Sequence, residues 1–149
     1  MTTSILNRIL LSKAGAAALI LRVPVGLILA AHGAQKLFGW FGGNGLAGTA
    51  QWLSSIGIEP GFLMAILAGS AEFFGGLALI LGLLTRPAAL VAAFTMLVAI
   101  FSVHISNGLF VADGGYEYAL LLMVALIALA IQGGGSLSMD NVLSKKNNV

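Results

Sequence analysis

The chain has no cysteine among its 149 residues. Disulfides, thiolate metal sites and CxxC redox chemistry are therefore excluded for it. Any redox work would need a bound cofactor or a partner subunit to hold the electrons. Charge is also scarce: seven basic and five acidic residues make up 8% of the sequence, against about a quarter in soluble domains. No basic run interleaves with aromatics, so no nucleic acid is expected as a partner. Gly42-Gly43-Asn44-Gly45 is not a phosphate loop, because no strand precedes it and no Lys-Ser/Thr follows. What abounds is apolar: 59% of residues are hydrophobic and the mean hydropathy is +1.04. Such a chain has lipid as its main solvent.

A spanning helix needs about 20 mostly apolar residues. Four stretches qualify, at about 16–38, 62–84, 87–108 and 116–132, each bounded by Gly, Pro, Asn or Asp. Short alternating segments typical of a barrel are absent. The expectation is an all-α membrane protein, a single domain over 1–149 built as a four-transmembrane-helix bundle. Before the first span, Ile5, Leu6, Ile9 and Leu10 oppose Asn7, Arg8 and Ser12, which predicts a short amphipathic helix in the membrane interface. Between the first two spans, Leu46, Trp52, Leu53 and Ile56 predict a second interfacial helix, and Trp40 and Trp52 suit that depth. A cleaved signal peptide is not expected, since Arg22 and Pro24 interrupt the apolar region such a peptide requires.

Arg8, Lys13, Arg86, Lys145 and Lys146 fall on one side of a four-span hairpin pair, and Glu59 and Asp113 on the other. The positive-inside rule then predicts cytoplasmic termini, with 136–149 as a cytoplasmic tail. The spans themselves carry ionisable groups, which are costly in lipid and so mark candidate sites. These are Arg22, His32, Lys36, Glu72, His104 and Glu117, with Tyr118 beside them. With Lys36 as the outer rim, a rise of 1.5 Å per residue puts His32 ~6 Å and Arg22 ~21 Å below it. Counted from Phe62, Glu72 lies ~15 Å deep, while His104 has risen ~27 Å from Arg86. Two tiers are expected: an inner Arg22–Glu72 pair holding the bundle, and an outer group of His32, Lys36, His104 and Glu117, joined by Tyr116 and Tyr118, open to chemistry. The ordinary readings are a structural ion pair, a lysine snorkelling to the headgroups and an interfacial histidine. Gly26, Gly33, Gly69, Gly75, Gly76 and Gly82 are expected at helix contacts.

Arg22-x3-Gly26-x5-His32-Gly33-x2-Lys36-Leu37 resembles the opening signature of the DoxX family of small bacterial membrane proteins. Glu72-x2-Gly75-Gly76-x5-Gly82-Leu83-x-Thr85-Arg86-Pro87-Ala88 is similar to its second signature, and Gly115-x-Glu117-Tyr118, followed by an apolar span and Gly-Gly-x-Ser-Leu-Ser-Met-Asp ending at Asp140, to its close. The resemblance implies a four-helix protein of the bacterial inner membrane, associated with a quinone-linked oxidoreductase or with oxidative stress. On that reading His32, Glu72, His104 and Glu117 are candidate catalytic groups. His32 or His104 would donate to a quinone carbonyl, Glu117 would relay its proton, and Lys36 would favour an anionic substrate. Arg22, Lys36 and Tyr118 are candidate cofactor-binding groups. Quinone is the cofactor the resemblance suggests; no metal site is expected, and two lone histidines are too weak a signal for haem. The alternative is a non-enzymatic membrane scaffold that assembles with partner oxidoreductase subunits, or a homo-oligomer, in which the charges only fix helix register.

Overall fold

The computed structural model describes residues 9–146, and every regular element within them is helical. The elements are α1 (Ala17–Phe38), a short 3-10 turn (Trp40–Gly42), α2 (Gly45–Ser55), α3 (Gly61–Leu81) and α4 (Thr85–Ala99). Helix α4 runs on through a π turn (Ile100–His104) and a 3-10 turn (Ile105–Asn107). A further 3-10 turn (Val111–Asp113), α5 (Glu117–Gln132) and α6 (Met139–Lys146) complete the order. Most of the predicted helix before the first span, at Ile5, Leu6, Asn7 and Arg8, lies outside the described residues.

Three of the helices are long and apolar enough to cross a bilayer: Ala17–Phe38, Gly61–Leu81 and Thr85–Asn107. The fourth expected span, α5, is equally apolar but has 16 residues, about 24 Å of helix against a hydrocarbon core of about 30 Å. The outer surface of the bundle is built for lipid. Ile20, Leu121 and Ile131 are 75%, 67% and 71% exposed, which water would oppose and acyl chains accept. Pro24 lies inside α1 without ending it.

Lipid gives helices no hydrophobic reason to associate, so close packing of small residues does that work. Helix α1 lies against α3 along such a seam. A Cβ on Gly26 would stand 2.6 Å from the Gly76 carbonyl oxygen, one on Gly33 would strike the Phe73 backbone, and one on Gly69 would meet Leu37 at 2.7 Å. These contacts fix how far the two antiparallel helices slide. A core of Val25, Leu29, Leu79, Ala89, Ala92, Ala93, Met96, Leu122, Leu126 and Leu129 then fills the space between α1, α3, α4 and α5. A helix is present between the first two spans as α2, which buries Ala50 and Leu53 against Ala65 of α3 and leaves Trp52 exposed.

The end of the bundle carrying the chain's tail is closed by polar bonds. Gly82 ends α3 in the left-handed conformation (φ 68°), and α4 begins directly after Leu84. The Asp140 carboxylate accepts the first free N–H groups of α4, from Leu84 at 2.7 Å and Thr85 at 2.9 Å. The segment predicted as a tail is thus folded back onto the helices, with Asp140 and Ser138 buried.

Candidate functional site

Arg22 and Glu72 do not pair. The Arg22 guanidinium is buried among backbone carbonyls, donating to Leu79 (2.9 Å), Gly134 (3.2 Å), Ile80 and Leu137 (2.5 Å). Two of those carbonyls belong to the last turn of α3, where a cation complements both the unpaired oxygens and the helix dipole. Glu72 is instead bonded to Lys36, with Nζ and Oε2 2.5 Å apart. The predicted pairing failed because Phe62 was placed level with Lys36. In the structure Gly69 lies against Lys36 and Leu37, so α3 starts well beyond the Lys36 level and Glu72 sits nearer that end than counted. Lys36 therefore does not simply snorkel. It compensates a carboxylate that is 4% exposed while remaining 28% exposed itself, and a buried carboxylate without such a partner would be strongly destabilising.

Helix α1 presents a second stripe, Leu21, Val25, Ile28 and Leu29, toward the core that α5 enters through Leu122, Leu126 and Leu129. One turn further out the apolar packing gives way to His32 on α1 and Tyr118 on α5, whose ring centroids are 6.3 Å apart. Both side chains are exposed, Tyr118 by 39%, while Leu29 and Leu122 just below are buried. The seam between α1 and α5 thus opens where the polar residues begin.

Behind that opening lies a cavity of about 110 Å³ lined by His32, Lys36, Glu72, His104 and Tyr118. Leu29, Met96, Ala99, Ala119 and Leu122 complete its wall. Five of the seven predicted site residues meet here, one or two from each long helix. Arg22 does not, lying at the opposite end.

His104 closes the π turn. Such insertions recur at functional positions because they re-aim the side chains after them. Its Nδ1 is 2.7 Å from the Gly114 carbonyl oxygen. A carbonyl only accepts, so Nδ1 carries the proton and Nε2 is the ring's remaining nitrogen. Glu117 is not part of the cavity wall. Its Oε1 accepts the Val111 N–H at 2.7 Å, and with Tyr116 N–H to Gly108 (3.1 Å) and Glu117 N–H to Leu109 (2.9 Å) it shapes the loop that holds His104. Its direct contact is with the loop rather than the cavity.

The sequence reading missed the apolar wall, since Met96 and Ala99 look like any other residues of an apolar span. It also gave no capping role to Asp140, the last residue of the closing motif.

The DoxX family profile matches residues 17–105. The inner membrane protein YqjF of Escherichia coli K12 is 38% identical over 110 residues, covering 72% of this chain and 82% of that protein. A Bacillus subtilis protein named putative oxidoreductase CatD is 33% identical over 127 residues, covering 85% and 87%. The E. coli inner membrane protein YphA is 31% identical over 127 residues, covering 82% and 86%. No solved structure is significantly similar. With the family match covering more than half of the sequence and these relatives aligned over most of their length, the chain belongs to the DoxX family of membrane proteins.

Proposed function

We propose that this DoxX protein is the quinone-binding component of a membrane oxidoreductase, and that the outer cavity receives the quinone ring from the bilayer. The observation that carries this reading is the convergence of His32, Lys36, Glu72, His104 and Tyr118 on one cavity whose other walls are apolar. Apolar walls with a few convergent polar groups are the usual composition of a small-molecule site. The volume of about 110 Å³ is below the roughly 150 Å³ of an apolar cavity that takes up benzene, so a quinone ring would sit partly in the open seam at His32 and Tyr118. The opening between α1 and α5 at His32 and Tyr118 suits a ligand that arrives dissolved in lipid.

Reducing a quinone to a quinol adds two electrons and two protons. With no cysteine in the chain, the electrons are assigned to a partner subunit carrying a flavin or metal centre. The chain's own residues supply the rest. The Tyr118 hydroxyl and a His32 N–H donate to a ring oxygen, and the Lys36 ammonium favours the negative charge that reduction places there. Glu72 holds Lys36 in position, and the loop around Glu117 orients His104. The name of the B. subtilis relative, an oxidoreductase, agrees with this assignment.

The same reading takes α5 as a fourth crossing and both termini as cytoplasmic. Arg86 donates to the carbonyls of Leu11, Ala130 and Ile131, so the first described residues, the α3–α4 link and the end of α5 share one end of the bundle. Lys13, Arg86 and Lys145 gather there, which supports a cytoplasmic assignment.

The direct test is titration of the protein in lipid nanodiscs with a short-chain quinone analogue. Wild type is expected to bind, and His32→Ala and Tyr118→Phe each to weaken binding by about tenfold, roughly 1.4 kcal/mol. Leu121→Ala, on the lipid-facing surface, leaves it unchanged. Absence of binding by the wild type would sink the reading.

A further inference from the structure

A second cavity of about 340 Å³ lies on the far side of Lys36. Its walls are Gln35 and Lys36 of α1, the Gly42–Gly43–Asn44 turn, and Thr49 and Trp52 of α2. The composition is unlike that of the buried cavity. The Gln35 amide donates to the Phe41 carbonyl and the Thr49 hydroxyl to the Lys36 carbonyl, each at 3.3 Å. Asn44 makes no side-chain cap on α2 and is exposed, which leaves its amide to water.

Lys36 is the residue common to the two cavities. Its ammonium reaches inward to the buried Glu72 carboxylate while more than a quarter of its side chain stays exposed. The ion pair thus stands at the one residue the two cavities share.

We propose that the open groove beside the Gly42–Asn44 turn, with its Gln35, Lys36, Asn44 and Thr49 side chains, is the aqueous vestibule of the buried site, and that the Lys36–Glu72 ion pair is the gate through which water and protons reach His32 and His104. The inference rests on the proposed function for its purpose, because a ring arriving from lipid must still meet protons arriving from water. It assigns those protons to the membrane face that carries residues 39–60, opposite the face of Arg86 and Lys145. The two routes are separate: the seam at His32 and Tyr118 admits the lipid-soluble ligand, and the vestibule admits water.

The absence of native cysteine makes the test clean. Single thiols are placed by Ala99→Cys in the wall of the buried cavity, Asn44→Cys in the vestibule and Val124→Cys on the exposed surface of α5. Oriented vesicles of either sidedness are treated with an impermeant sulfonated methanethiosulfonate, and in parallel with silver ion as a smaller hydrophilic probe. Asn44→Cys is expected to react quickly from the 39–60 face, and Val124→Cys not to react. Ala99→Cys is expected to react slowly from that same face, and about tenfold faster when combined with Glu72→Gln, as for an opening whose cost falls by roughly 1.4 kcal/mol. Lys36→Met in place of Glu72→Gln gives the same acceleration by removing the other partner. The proposal is overturned if Ala99→Cys reacts only from the opposite face, if neither probe reaches it while Asn44→Cys reacts, or if its rate is indifferent to both gate substitutions. No quinone is present in the assay, so its outcome and that of the quinone titration fail independently.

Discussion

At the scale of single residues, the feature that organises the site is one ion pair in a membrane interior. Glu72 is buried and Lys36 partly so, hence removing one partner leaves a charge with nothing to balance it. Lys36→Met alone is expected to lower stability by about 3 kcal/mol, whereas the double substitution Lys36→Met with Glu72→Gln loses much less, a coupling of about 1–3 kcal/mol. Unfolding of the four proteins of that cycle in detergent measures it, and additive losses would mean the pair is not a unit. The partner of Glu72 was not read correctly from the sequence. Gly26 and Gly33 are seven residues apart on one helix, as are Gly69 and Gly76 on the other. In the structure Gly26 meets Gly76, but Gly33 meets Phe73 and Gly69 meets Leu37, a register about one turn off glycine-to-glycine matching, and this slide brings Glu72 to Lys36. Counting depth from a helix start fails because α3 projects past the end of α1 to carry α2.

At the scale of elements, the unexpected part is how the chain's last helix serves the others. Asp140 sits at the start of α6 yet accepts the free N–H groups at the start of α4, a cap supplied from 55 residues away. Asp140→Ala should cost about 1–2 kcal/mol, the usual worth of such a cap. Its loss should also free the 136–146 segment to limited proteolysis. A variant as stable and as protease-resistant as wild type would show that the cap does not hold the segment. The long helices themselves were legible, because runs of apolar residues bounded by Gly, Pro and Asn leave few alternatives. Helix α2 was legible from its own apolar residues and tryptophans. The π turn at Ile100–His104 was not, since an added backbone residue leaves no mark in an evenly apolar stretch. That turn, with the Glu117-bound loop, is what holds His104 at the cavity.

At the scale of the whole molecule, the bundle has two unlike ends. One is tied shut by Arg22, Arg86 and Asp140 through bonds to backbone. The other holds two cavities that meet at Lys36. The proposed four crossings with cytoplasmic termini would place the closed end inside the cell and the cavities outside. A thiol at Ser136→Cys should therefore be labelled by an impermeant reagent only in inverted vesicles, and one at Gly57→Cys only in right-side-out vesicles. Labelling of both from the same face would contradict the four-span arrangement. The candidate residues were legible, because any ionisable group in a membrane span is conspicuous, but their sharing one cavity was not, and Glu72 rather than Glu117 joins it. The cavity's apolar wall was not legible either, since apolar side chains are the background of such a chain.

The measurement that bears most directly on the function is photo-crosslinking with an azido-quinone in native membranes, followed by peptide mapping. The expected result is modification concentrated on the segments containing His32 and Tyr118, lost in competition with unmodified quinone. Modification spread over lipid-facing residues such as Phe94 and Ile131, and insensitive to competitor, would contradict a quinone site in the cavity.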